Sequence, residues 1–540
     1  MALCLVSAHY EQDAADWDGL LFRQSTRSNR HDGQSFRGPV SDLITAWDKL
    51  GAHIRETALT GSIQSTLYWD QNTRMPRSGS AWRGEQLTLL ASQLHARQSS
   101  PAYAELIAEA RQTWSVGERC LEQGRNLDLL EQDLHRQQSL DPALVSALAT
   151  AKADGYSRWQ QARQDSDFSL FAPALQTLID LRQEQARQLA EPRSCWETLA
   201  QPFEPDLTLD RLMQLFAPLR ERLPQLVAEV AAPPRSRSAS WELSEDAQQS
   251  LCDQLLMSWG RDPNSTCLAR SPHPFSITLG PSDYRITTRV VSGQPLSCFL
   301  ATAHEWGHSL YEQGLPNQSH QWFAWPVGQA TSMAVHESQS LFWENRVARS
   351  FAFSEQWCER FVEAGAPLQA PRDLWHAMNP LSPGLNRVEA DELSYGLHIL
   401  IRTELEIALL EGGLAVSDLP NEWNRRYSEL LGVTPENDAE GCLQDVHWSE
   451  GLFGYFPSYL LGHLISAQIS EAMVEAIGAP EDHVARGDVS PLLAWLREHV
   501  HPLGRSVNAE QLVERVTGRR LDAGSFLTYL EGKLAALSAA

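Results

Sequence analysis

Apolar residues recur at three- and four-residue steps along most of the chain: Leu43, Ile44, Trp47 and Leu50; Leu87, Leu90 and Leu94; Leu127, Leu130 and Leu134. That spacing puts each set on one helix face, so the body is read as mainly α. Residues 273–290 (HPFSITLGPSDYRITTRV) depart from it. Two β-rich runs, 276–279 and 284–290, flank Gly280-Pro281-Ser282-Asp283 and predict a small hairpin-like sheet. Residues 231–240 (AAPPRSRSAS) read as a surface connection between helical blocks. Residues 23–40 are rich in Arg, Ser and Gly and show no hydrophobic period. Residues 1–41 are therefore taken as a flexible extension, with an organellar address as the alternative, and 42–540 as the folded body.

Composition narrows the function classes. With 540 residues, 42% hydrophobic and 21% charged, the chain can bury a large core and is no minimal binding module. Its 44 Lys and Arg stand against 68 Asp and Glu, a net charge of −24. Such a surface repels phosphate backbones and anionic headgroups, so neither nucleic acid nor membrane is expected as a partner. The eight cysteines are scattered without a CxxC, which fits a reducing compartment. The opening apolar run, residues 1–8, has no preceding Lys or Arg and is followed by Glu11, Asp13, Asp16 and Asp18, wrong for a secretory signal. A cytoplasmic protein is expected.

The chemistry lies further along. His304-Glu305-Trp306-Gly307-His308 fits H-E-x-x-H, a spacing that brings both imidazoles to one helix face about one turn apart. Phe299, Ala303, Gly307, Leu310 and Tyr311 supply an apolar stripe, and Gly314 with Pro316 a stop signal. Chance would produce the pentapeptide on the order of 0.07 times in a chain of this composition, so a third ligand is needed to decide. Catalytic zinc commonly takes two His and a carboxylate and keeps one position for water. The candidate is Glu337, in a helical segment starting at His336, 28 residues beyond His308; Glu344 is its rival. Such an ion acidifies its water and polarises a carbonyl, while Glu305, off the ligand face, is placed to carry a proton from water to a leaving amine. Peptide hydrolysis is the reaction this set predicts.

The sequence also resembles the carboxypeptidase Taq family of metallocarboxypeptidases. The resemblance rests on six motifs in order: His273-Pro274-Phe275; Asp283-Tyr284-Arg285-Ile286-Thr287; His304 to His308; His336-Glu337-Ser338-Gln339; Arg387-Val388-Glu389-Ala390-Asp391; and Gly441 to Trp448, GCLQDVHW. Trp69-Asp70-Gln71 and Met75-Pro76 look similar to the family as well. The likeness spans about residues 42–540. It implies an almost wholly helical body in two lobes about a deep groove, a small sheet beside the metal helix, one divalent ion at the groove floor and a homodimer. It implies His304, His308 and Glu337 as ligands and Glu305 as general base, with Zn2+ as the ion and Co2+ as the alternative. Two positions depart from the pattern. Trp306 stands where the family often has a smaller residue and is expected to narrow or reshape the groove, and Asn386 replaces the apolar Ile before Arg387, which bears on the packing around that arginine.

Roles follow for the other motifs. A carboxypeptidase must hold a free C-terminal carboxylate, which a planar guanidinium does with two charge-assisted bonds. Arg387 is the first choice and Arg285 the second; an ion pair joining two helices is the plainer reading of each. His447 and Tyr455 resemble the downstream His and Tyr of related helical metallopeptidases and are expected at the developing oxyanion, with Tyr459 as substitute and a further groove contact. Core packing is the competing reading of both tyrosines. Asp445 is a candidate to orient an imidazole, and the run 284–290 to pair with extended substrate or simply to cover the helix. His273 is placed near the site without a catalytic role; His320, His376 and His398 receive none. The tryptophans are read mainly as core and groove wall. The favoured function is removal of single residues from peptides with a free C-terminus. A helical zinc endo-oligopeptidase is the alternative, and a binding protein that has lost its metal the third reading.

Overall fold

The computed structural model describes residues 45–116, 120–230, 241–316 and 322–539. The expectations for residues 1–41 and 231–240, the apolar positions Leu43 and Ile44, and His320 lie outside them. Among the described residues the fold is mainly helical, with one small three-stranded sheet. The first helix, Ala46–Thr73, opens on a capping box in which Thr45 Oγ1 accepts from Asp48 N at 3.1 Å and Asp48 Oδ2 accepts from Thr45 N at 3.0 Å. Its Leu50 and Ile54 join Ile107, Leu127 and Leu130 in a small core of their own, closed by Trp47 stacked on Trp325 at 4.2 Å. Leu87 and Leu94 are buried as their spacing predicts.

The main core is built around the helix Pro295–Gly314, which carries the HEWGH segment and ends at the predicted glycine. Trp306 corrects the expectation of a narrowed groove. It is 1% exposed, points into the core and donates Nε1–H to the Trp259 carbonyl at 3.4 Å. The sheet has the order β1 (Thr266–Arg270), β3 (Asp283–Thr288), β2 (Ser276–Gly280). β2 and β3 form the expected antiparallel pair, turning through Ser282 at φ 70°. β1 runs parallel to β3, a strand the sequence pattern did not reveal. β3 lies against the Pro295–Gly314 helix, where Thr288 Oγ1 donates to the Cys298 carbonyl at 2.9 Å.

A second helix, Met333–Leu341, is held between Pro295–Gly314 and Pro457–Ile477 by two close approaches. A Cβ on Gly307 would meet Ser340 Cα at 2.6 Å, and a Cβ on Gly462 would meet Glu337 Cγ at 2.8 Å. Both contacts exclude any larger side chain at the present spacing. Gly462→Ala is therefore expected to cost about 1–3 kcal/mol, seen as a lowered Tm, because the helix bearing Glu337 must shift to admit the methyl. An unchanged Tm would show that this crossing is soft. The Met333–Leu341 helix continues directly into a π-helical turn, Phe342–Ala348, a form often found at functional sites.

Candidate metal centre

His304 and His308, four residues apart on one helix, turn their rings to the same side with centroids 4.9 Å apart. The Glu337 carboxylate faces them from the neighbouring helix. Its Oε2 is 3.9 Å from His304 Nε2 and 3.6 Å from His308 Nε2, and the three ligand atoms lie within 4.8 Å of one another. A tetrahedral ion with bonds of about 2.0–2.1 Å has ligand edges of about 3.3 Å, so a small contraction closes this set around one.

The far nitrogen of each ring is fixed. His304 Nδ1–H donates to Glu344 Oε2 at 2.9 Å, and His308 Nδ1–H donates to the His336 carbonyl at 3.1 Å. Both Nε2 lone pairs are thereby left toward Glu337. His336 Nδ1 lies 2.6 Å from His308 Nδ1 and its Nε2 is 2.9 Å from Glu312 Oε1, so a carboxylate stands behind that ring as well. The rival Glu344 thus sits behind His304, seven residues and two turns beyond Glu337. Arg349 grips Glu344 Oε1 through Nε at 3.1 Å and Nη2 at 2.7 Å.

The electrostatics suit a cation. Burial and the neighbouring imidazoles His336 and His304 push His308 well below its ordinary pKa and keep it neutral. Burial opposes charge on His304, but Glu337 and Glu344 outweigh it and raise that imidazole to about 10. Two imidazoles and a carboxylate are a donor set that fits a divalent metal. Burial opposes the charge on Glu344 too, yet Arg349 and His304 hold its carboxyl well below the usual range. Glu305 is buried beside His304, and burial together with Glu337 and Glu344 raises it to about 7.

A second cluster adjoins the first. Arg387 donates Nε–H to Asp445 Oδ1 at 2.8 Å and pairs its Nη2 with the same oxygen at 2.8 Å, and its Nη1 lies 3.3 Å from the Tyr395 hydroxyl. Arg402 bonds the other Asp445 oxygen and donates Nη2–H to Gln444 Oε1 at 2.7 Å. Arg387 is 8% exposed and Arg402 0%, so two buried guanidiniums share one carboxylate and one positive charge is left over. Asp445 does not orient the nearby imidazole: His447 Nδ1 is 3.8 Å from its Oδ1, beyond hydrogen bonding. Burial lowers His447 to about 3, so its ring is neutral. The His447 ring lies 5.6 Å from Tyr455 and 6.3 Å from Tyr459, and Arg387 lies 5.3 Å over the Tyr459 ring. The Glu337 carboxylate adds to burial in raising both tyrosine hydroxyls, while Arg387 draws Glu337 down. These groups and the metal triad therefore share one electrostatic neighbourhood.

Arg285 belongs to a different cluster. It forks onto Asp283 at 2.8 Å through both Nε and Nη2 and lies 5.6 Å over Trp69, whose ring meets Phe275 edge-on at 5.6 Å. Three of the motifs thus meet where the first helix touches the sheet. His273 is exposed. Asn386 caps the turn at Arg387, accepting from Val388 N at 3.1 Å, which gives the polar replacement a local purpose.

Residues 49–534 match the family model for the carboxypeptidase Taq (M32) metallopeptidases. The chain belongs to the M32 family. As an M32 member it is a metallocarboxypeptidase. It is 38% identical over 506 residues to thermostable carboxypeptidase 1 of Thermus thermophilus, covering 91% of this chain and 99% of that one. To carboxypeptidase 1 of Bacillus subtilis it is 33% identical, covering 86% and 93%. The crystal structure of an M32 carboxypeptidase from Deinococcus radiodurans superposes with a TM-score of 0.87 at 35% identity, over 92% of this chain and all of that one. Among the described residues no helix is long and apolar enough to cross a membrane.

The M32 motifs do not include every residue that builds the centre. Arg349 and Glu406 went unnoticed in the sequence. Glu406, fully buried, accepts from the indole nitrogens of Trp196 at 2.9 Å and Trp448 at 3.0 Å, holding the turn that carries His447. Glu344→Ala is expected to weaken metal binding by about 10- to 100-fold by freeing the His304 ring. Competition against a chelator measures it; parental affinity would show that Glu344 does not orient the ligand.

Proposed function

We propose that this chain removes single amino acids from the C-terminus of peptides. In this reading His304, His308 and Glu337 hold one divalent ion, Zn2+ with Co2+ as the alternative, which when bound supplies Lewis acidity to a carbonyl and to water. Glu305 takes a proton from the attacking water onto its carboxylate and hands it to the leaving amine. A pKa raised to about 7 suits a group that must do both near neutrality. Arg387 receives the terminal carboxylate of the substrate. His447, neutral and with Nδ1 unpartnered, and the Tyr455 hydroxyl donate to the developing oxyanion, with Tyr459 beside them.

One observation carries the reading: the buried excess of positive charge among Arg387, Arg402 and Asp445, within electrostatic reach of Glu337. A free carboxylate neutralises that excess; an internal peptide segment does not. The test is a time course on a short peptide as free acid and as C-terminal amide, with and without chelator, read by mass spectrometry. Stepwise loss of one residue from the acid alone, abolished by chelator, is expected. Equal cleavage of the amide, or internal cuts, would favour an endo-oligopeptidase.

A further inference from the structure

We propose that Glu204 is a positioning residue for the metal centre, its carboxylate tying the first turn of the Glu337 helix to the first turn of the helix that follows Tyr455. The proposal rests on the reading of Glu337 as a ligand. Glu204 lies in the turn after the short helix Cys195–Ala200, far in sequence from every motif. It is 3% exposed. Its Oε1 accepts from Ala334 N at 2.6 Å and from Ser458 Oγ at 2.6 Å. Ala334 is the second residue of Met333–Leu341, and Ser458 the second of Pro457–Ile477.

The adjoining backbone completes the arrangement. The Phe203 carbonyl accepts from Met333 N at 3.0 Å, Ser332 Oγ accepts from Val335 N at 3.2 Å, and the Ser332 carbonyl accepts from His336 N at 3.1 Å. Three N–H groups that the Glu337 helix cannot satisfy internally, those of Met333, Ala334 and Val335, thus find partners, two of them in Phe203 and Glu204, and His336 N–H begins the regular ladder. Glu337 is the very next residue. The Phe203 ring also meets Tyr455 edge-on at 5.1 Å. One dipeptide therefore fixes the start of the ligand helix, the start of the helix whose Gly462 packs on Glu337, and the tyrosine proposed at the oxyanion.

A surface acid could cap a helix with no consequence for chemistry; this one costs desolvation. Burial pushes its carboxyl up to about 7, against the hydrogen bonds from Ser458, Ala334 and Ser332. What it secures is the register between two helices, and sites of this kind tolerate about 0.5 Å of displacement.

The test compares Glu204→Ala, Glu204→Gln, Ser458→Ala and, as reference, Glu337→Ala. Each is stripped of metal and titrated with Co2+ by visible absorption, and kcat, KM and Tm are measured on the reloaded protein. Glu204→Ala is expected to weaken Co2+ binding and lower kcat by about 10- to 100-fold with KM little changed. Glu204→Gln, whose amide oxygen can accept the Ala334 and Ser458 bonds and which forgoes only acceptance from Ser332, should restore most of both. Ser458→Ala, which removes one hydroxyl and leaves the carboxylate, should lose roughly two- to tenfold and serves if Glu204→Ala does not fold. A fall in Tm with Co2+ affinity and kcat unchanged, in Glu204→Ala or Ser458→Ala, overturns the proposal. If Glu337→Ala itself binds Co2+ as the parent does, the ligand reading fails instead.

Discussion

Glu305→Gln is expected to keep its metal and lose about 10²- to 10⁴-fold in kcat. Gln has the shape of Glu and leaves His304, His308 and Glu337 untouched, so the metal triad should persist. What it lacks is a site for a proton near pH 7. Glu305 is poised there because burial and the neighbouring Glu337 and Glu344 carboxylates disfavour its charge. Metal content by elemental analysis and single-residue release by mass spectrometry check the two halves separately. Parental turnover in a metal-replete variant would remove Glu305 from the mechanism.

Arg387→Ala is expected to lower kcat/KM for free-acid peptides by about 2–5 kcal/mol, chiefly through KM, with little change for poor, amidated substrates. The physical reason is charge arithmetic within the buried cluster. With Arg387 present, two guanidiniums face Asp445; without it, Arg402 and Asp445 balance and no excess remains for an incoming carboxylate. The fold should survive, since Asp445 keeps its fully buried partner Arg402. Lys should rescue poorly, having no planar fork. An unchanged kinetic profile would move the carboxylate anchor to Arg285 or elsewhere.

How much of this was legible in the sequence varies with distance along the chain. His304 and His308 announce themselves, because a four-residue step on a helix has one geometric outcome. Glu337 and Glu344 could not be told apart by spacing: seven residues is two turns, so both present to the same side. Only the fold shows one carboxylate facing the Nε2 atoms and the other behind Nδ1. The expectation for Trp306 rested on the size of the residue that the family often has there, and size does not say which flank of a buried helix meets the core. β1 was missed because five residues, TCLAR, carry no clear alternation. Glu204 and Glu406 were beyond reach: their partners lie up to 254 residues away, and an isolated acid in a sequence reads as solvated.

The positive excess shared by Arg387, Arg402 and Asp445 sits inside a chain of net charge −24, and the two act over different ranges. The outer field is damped within about 8 Å at physiological ionic strength, while a desolvated pair inside the protein is hardly damped at all. With Arg387 in its proposed role, added salt should therefore ease the arrival of acidic peptides without loosening the hold on their final residue. On that proposal encounter and capture answer to opposite signs of charge: the outer surface disfavours anionic chains as they approach, while the buried cluster still demands an anionic end.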